Sequence, residues 1–257
     1  MVACAYQVEQ ALFKVQKTEQ CLQLSLDEPY TVLSSAELNG GFATSQHFLN
    51  YRVDNCPFED LSLPSPPSPA DSLLALAAQQ SLPDSTVGMM TAASMNSFRM
   101  ASAQIDTVRI TLALTCGLSN ARCAGDSADY PHLFEAVVPL GTINTFVAIN
   151  HPMQPKALVE AHSLIAEARA TTLQRLGIQS EISSQLATGT GTDSTAIACK
   201  PINVAIQEAR TGIAESSSPP IPIDYCGKHV ILAEVLANLM IACLTASINR
   251  EAVKPIL

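Results

Sequence analysis

Hydrophobic and polar positions follow two different rhythms along this chain. Val108, Ile110, Leu112 and Leu114 alternate with Arg109, Thr111, Ala113 and Thr115, the period of a half-buried strand. A second strand is expected over roughly Gly141 to Asn150. Between Ala5 and Leu33 the pattern favours short strands, punctuated by Lys17-Thr18-Glu19 and Asp27-Glu28-Pro29 as in a meander. Helical spacing takes over at Pro155, where Ala157, Leu158, Ala161, Leu164, Ile165, Ala168, Thr172 and Leu176 form one stripe and Gly177 supplies a C-cap. Asp71 reads as the N-cap of a helix over Ser72 to Gln80. The longest apolar stretch, Val230 to Ile248, carries Glu234, Asn238 and Thr245 on one stripe, which describes a buried amphipathic helix rather than a membrane span. Strand-rich and helical segments interleave. The expected fold class is α/β or α+β, a single mixed α/β sandwich domain over residues 1–257 with a strand-rich N-terminal part and helices packed on the sheet. The Pro-rich segment within 61–70 is read as a surface loop.

Composition narrows the function classes. Hydrophobic residues make up 47% of the chain, enough for a sizeable core and too many for disorder. The net charge of -9 repels phosphate backbones and anionic lipid, which argues against nucleic-acid and membrane partners. Eight cysteines are scattered without a CxxC pair, and five histidines lack the spacing of metal ligands, so no metal site is expected. The first residues lack the basic start and apolar run of a secretory signal, and the expected location is the cytoplasm.

Four segments share a chemistry: Asn39-Gly40-Gly41, Gly117-Leu118-Ser119-Asn120, Gly141-Thr142-Ile143-Asn144, and the loop from Thr188 through Gly189, Thr190, Gly191, Thr192 and Asp193 to Ser194. Glycine admits close backbone approach, while amides and hydroxyls donate and accept without fixed charge. Any one of them is also what an ordinary turn looks like. Together they suit a neutral ligand rich in amide groups. The Thr188–Ser194 loop ends in neither the Gly-Lys-Ser/Thr of a phosphate loop nor the third glycine of a dinucleotide fingerprint. Its Asp193 either closes an Asx-turn or orients one of three threonine hydroxyls. Glu160 and Glu167 share a helix face at the rim of the apolar stripe, and His229 precedes the last helix. Rim acids and lone histidines are commonly solvated; facing a cleft, they would serve as acid or base.

In their order, these segments resemble the adenosylcobinamide amidohydrolase family. The resemblance is carried by Leu33-Ser34-Ser35-Ala36 leading to Asn39-Gly40-Gly41, by Asn50 and Val53, and by Gly88-Met89-Met90-Thr91-Ala92-Ala93. It continues through Thr115-Cys116-Gly117-Leu118-Ser119-Asn120-Ala121, Gly141-Thr142-Ile143-Asn144, Ala166-Glu167-Ala168-Arg169-Ala170 and Ala187 to Asp193, and ends in Gly227 to Glu234. The family's helix motif usually reads Thr-Glu-Ala-Lys-Ala, so Ala166 and Arg169 are departures. Arginine is no neutral substitute for lysine at a tight site.

The resemblance implies hydrolysis of the amide joining aminopropanol to a corrin ring, giving a cobyric-acid product in corrinoid salvage. The expected partner is a corrinoid small molecule, homo-oligomers are compatible, and no cofactor is needed beyond the cobalt of the substrate. Thr192 or Thr190 is then the nucleophile or the holder of the attacking water, with Asp193 as orienter or base, and Glu167 or His229 as proton donor to the amine. Asn120, Asn144 and the N–H groups of Gly189–Gly191 are candidates to stabilise the oxyanion. Asn39, Gly40, Gly41, Ser119 and Thr142 complete the expected binding surface. The alternative is a non-catalytic corrinoid-binding module, which would need neither Asp193 nor Glu167.

Overall fold

The computed structural model describes residues 11–53, 68–129, 142–202 and 220–254. Its strands are β1 (Lys14–Lys17), β2 (Cys21–Ser34), β3 (Gly41–Arg52), β4 (Val87–Thr91), β5 (Arg99–Ile105), β6 (Val108–Cys116), β7 (Ala121–Arg122), β8 (Ile143–Pro152), β9 (Gly189–Thr190) and β10 (Ser194–Lys200). The helices are α1 (Pro69–Gln79), α2 (Pro155–Arg175) and α3 (Ile231–Ile248). Eight strands form one mixed sheet in the order β4-β3-β2-β10-β8-β6-β5, with β1 paired to β2. Strands β3 and β4 run parallel, as do β8 and β10, and the other neighbours are antiparallel. The mixed α/β class and the helices packed on a sheet are as the sequence suggests.

This sheet doubles over on itself. Phe48 of β3 and Phe146 of β8 lie three strand spacings apart in the ladder, about 14 Å along a flat sheet. Their ring centroids are 6.1 Å apart, edge to face, and Phe13 meets Phe48 at 5.7 Å. Only folding of the sheet brings them together. The bend falls where β2 and β3 lose register: Ser25 pairs with His47 and Tyr30 with Ser45, so Leu26–Pro29 oppose a single residue, Gln46. Such an insertion bends a strand without ending it. The Asp27-Glu28-Pro29 punctuation is therefore a bulge inside one long strand rather than a turn between short ones.

The two layers enclose one apolar cluster. One layer contributes Leu22, Leu24, Phe48, Val87 and Met89; the other contributes Ala113, Phe146, Ala148, Ala196 and Ala198. Large side chains opposite small ones let the layers close without voids. Alternation turns Leu49 outward, onto Leu73 and Ala77 of α1. On the far side Leu112, Val147 and Ile197 face α2 and α3. The result is an α/β/β/α sandwich.

The helices form for local reasons. Ser68, not Asp71, caps α1; its side chain accepts from Asp71 N–H, and Pro69 occupies the first turn. Helix α2 buries Ala157, Leu158, Ala161, Leu164, Ile165, Ala168 and Thr172, matching the stripe, and Gly177 stands just past its end. Helix α3 is long and apolar enough to cross a membrane by length and composition, yet it buries Leu232, Leu236, Leu239, Met240, Cys243 and Leu244 against the sheet and α2. The six described cysteines are free. The Pro-rich loop and Gly141 lie largely or wholly outside the described residues.

Phe48→Ala is expected to lower the unfolding free energy by about 3–5 kcal/mol. Urea denaturation checks this, and a loss under about 1 kcal/mol would contradict a core that joins the layers through Phe48.

Candidate active site

One end of the sandwich is polar where the rest of the interior is apolar. Strands β8 and β10 begin there and β6 ends there, so Thr115, Asn144 and Ser194 share one rung facing the inner side. All three are buried. The short pair β7–β9 folds over this edge and brings Asn120 beside the loop after β9, where Gly191 N–H donates to Asn120 O at 3.2 Å.

Asp193 organises the loop. Its Oδ1 accepts from Ile143 N–H at 2.9 Å and from the Thr190 hydroxyl at 2.6 Å. Its Oδ2 accepts from Thr190 N–H at 2.8 Å and pairs with Arg169 Nε at 3.1 Å. A carboxylate offers about four lone-pair directions; three receive hydrogen bonds, and the Arg169 guanidinium stands beside Oδ2 as an ion pair. The pair is enclosed, with side chains 6% and 14% exposed. A Cβ at Gly189 would lie 2.4 Å from Asp193 Oδ2, so only glycine leaves the carboxylate its place. This geometry describes an orienter more than a base.

The hydroxyls and amides divide into used and unused. Thr142 and Thr192 place their Oγ1 atoms 2.5 Å apart, with Thr142 buried. Ser194 Oγ lies 3.2 Å from Ser35 Oγ. Asn144 spends both Nδ2 hydrogens, on Asn50 Oδ1 and on Met90 O at 2.8 Å each, while Asn50 donates to Thr115 Oγ1. Asn144 therefore has no N–H left for an oxyanion; its Oδ1 is the free atom. Thr190 and Gly191 N–H are likewise committed, to Asp193 and Asn120. Asn120 differs: it is 6% exposed, and neither its Nδ2 nor its Oδ1 has a partner among the described residues.

Cys116 sits at the end of β6, where burial, and then the charge of Asp193, push its thiol up to about 12. It stays protonated and is no nucleophile. Among the described residues no three His, Cys, Asp or Glu side chains gather as metal ligands.

The other expected residues lie elsewhere. Glu167 is half-exposed and paired with Lys228. It is two residues from Arg169, about 200° around α2, and so faces away from Asp193. His229 is exposed just before α3. Glu160 accepts the Cys226 N–H at 2.5 Å, so both rim acids fasten the 225–229 segment to α2. Asn39 adopts φ 55 and donates to Asp84 O and Thr86 O, tying the β2–β3 connection to the segment before β4. A Cβ at Gly40 would meet Ala36 O at 2.3 Å, and Gly41 follows with φ +82. These three serve the turn. Ser119 is exposed next to Asn120.

The sequence reading missed the links of Arg169 to Asp193 and of Ser35 to Ser194. The signal for Arg169 was a charge one position from the buried Ala168 on the edge of an apolar stripe.

A family model described as adenosylcobinamide amidohydrolase matches residues 5–254. No curated protein matches the chain significantly. Among solved structures, the chain is similar to the PH0078 protein from Pyrococcus horikoshii OT3, at 12% identity and a TM-score of 0.39, over 96% of this chain and 82% of that one. It is similar also to a Burkholderia sp. beta-aminopeptidase, at 10% identity and a TM-score of 0.41, over 93% and 82% of the two chains. Likenesses that distant bear on neither substrate nor reaction. The family match spans nearly the whole chain, including every segment that builds the polar end of the sandwich, and the chain belongs to the adenosylcobinamide amidohydrolase family.

Proposed function

We propose that this protein hydrolyses the amide joining aminopropanol to the corrin ring of adenosylcobinamide, releasing adenosylcobyric acid for corrinoid salvage in the cytoplasm. The observation that carries the reading is Asn120: a buried carboxamide with neither polar atom paired among the described residues, against the loop that Asp193 holds. Burying such a group without a partner costs about 1–3 kcal/mol, a cost that a ligand amide would offset. The substrate is fringed with amides and matches a site of neutral donors and acceptors.

In the proposed reaction the attacking oxygen is that of Thr192 or of a water hydrogen-bonded to the Thr192–Thr142 hydroxyl pair. It adds to the amide carbon, the C–N bond breaks, and the nitrogen leaves as an amine carrying the proton given up by the nucleophile. If Thr192 attacks, a water then releases the acid from the ester. Asn120 Nδ2 is the side-chain donor that remains for the developing oxyanion; Asn144 Oδ1 is an acceptor for an N–H of the substrate. Asp193 keeps the loop in place and takes no proton.

Asn120→Ala is expected to lower kcat by about 10²–10³-fold while corrinoid affinity, read from the visible spectrum, changes by only a few-fold. Chromatography and mass spectrometry of adenosylcobinamide digests check this. Wild-type protein that binds the corrinoid without converting it would instead indicate a binding module.

Thr190→Val and Thr192→Val separate support from chemistry. Thr190→Val removes a hydrogen bond to Asp193 and should lower stability by about 1.5–3 kcal/mol. Thr192→Val should abolish turnover with little change in Tm. Equal turnover in wild type and Thr192→Val would remove Thr192 from the reaction.

A further inference from the structure

Five buried side-chain atoms have no hydrogen-bond partner among the described residues: Arg52 Nε, Asn120 Nδ2 and Oδ1, Asn144 Oδ1 and Arg169 Nε. Arg169 Nε is off-line for a hydrogen bond, but it lies 3.1 Å from Asp193 Oδ2 and the ion pair serves it. The remaining atoms belong to three residues at the same end of the sandwich. Asn120 and Asn144 are part of the site already described; Arg52 is not.

Arg52 ends β3, paired with Thr91 of β4. Strand alternation puts it on the inner face with Phe48 and Asn50. Asn50 bonds Asn144, so Arg52 lies one inner position further out, at the mouth between the layers. The side chain is half-exposed while its Nε is buried. Among the described residues no carboxylate pairs with it. A guanidinium is charged at every working pH, and a partly buried one without a counter-charge is costly. A buried, unpartnered Nε on a charged side chain at the same end as Asn120 and Asn144 points to a ligand there.

We propose that Arg52 receives the negative charge that develops on the scissile carboxamide oxygen during attack, and afterwards the carboxylate that hydrolysis creates from it. This rests on the hydrolysis proposed above. As the nucleophile adds to the carbonyl carbon, the π pair moves onto the oxygen, which becomes anionic and accepts from the Arg52 fork. The pair returns as the C–N bond breaks and the amine departs with its proton. The product acid loses its own proton to solvent, leaving two equivalent oxygens that match the planar fork. Arg52 and Asn120 thus receive the oxyanion from the two layers of the sandwich.

The test titrates wild type, Arg52→Met and Arg52→Lys with adenosylcobinamide and with adenosylcobyric acid, reading binding from the corrinoid spectrum and turnover separately. Arg52→Met should lose about tenfold or more in affinity for the acid, keep its affinity for the neutral amide within about threefold, and turn over about a hundredfold more slowly. Arg52→Lys, which keeps charge and loses the fork, should show a smaller loss confined to the acid, and it decides the matter if Arg52→Met does not fold. Unchanged affinity for the acid in either folded variant overturns the assignment. A wild type that never forms product, yet binds the acid through Arg52, would overturn the hydrolysis and leave the carboxylate site standing.

Discussion

The carboxylate of Asp193 joins three parts of the chain that are distant in sequence. It receives N–H and hydroxyl from Thr190 in its own loop, N–H from Ile143 at the start of β8, and the guanidinium of Arg169 from α2. Hydrogen bonds to a charged group are each worth about 1.5–3 kcal/mol, and the enclosure of this pair strengthens them. The position of the Gly189–Ser194 loop follows from this carboxylate. So does the position of Thr192 against Thr142, and of Asn120 against Gly191. Without it the loop would be a glycine-rich connection with little to hold it.

The doubled sheet supplies the other half of the site. Folding β3 and β4 over β8 brings Asn50 and Met90 within hydrogen-bond distance of Asn144, and carries Arg52 to the same mouth. The interior behind this edge is apolar, with Phe48 and Phe146 in contact. In such surroundings an unpaired amide or guanidinium is expensive, and the unpaired groups are concentrated at one edge.

The sequence was most readable where structure is local. The 3.6-residue stripe of α2 predicted its buried face nearly residue for residue, and Val108–Cys116 alternated as a strand should. The α1 cap slipped from Asp71 to Ser68 because Pro69 and Pro67 make either start plausible, and only the structure shows which side chain reaches an N–H. The bulge at Leu26–Pro29 looked like a turn, since the same residues suit both. Doubling of the sheet left no local trace, because it depends on Phe48 finding Phe146 nearly a hundred residues away. At the site, glycine, asparagine and threonine marked the two loops that meet there. The same composition also marked Asn39-Gly40-Gly41, which lies in the β2–β3 connection and is tied to the segment before β4. Glu167 drew notice at the rim of the apolar stripe and His229 by its place before the last helix, and neither position says whether the side chain meets a cleft or, as for Glu167, a surface lysine.

The central claim is that the Asp193–Arg169 pair holds the site together, with Asp193 as a fixed charge rather than a proton acceptor. The most direct measurement is a double-mutant cycle in unfolding free energy with Asp193→Asn, Arg169→Met and the two combined. The account predicts that the double variant loses less than the sum of the two single losses, with a coupling of at least about 1.5–3 kcal/mol, because either change alone strands a buried partner. Additive losses, with coupling below about 0.5 kcal/mol, would contradict it.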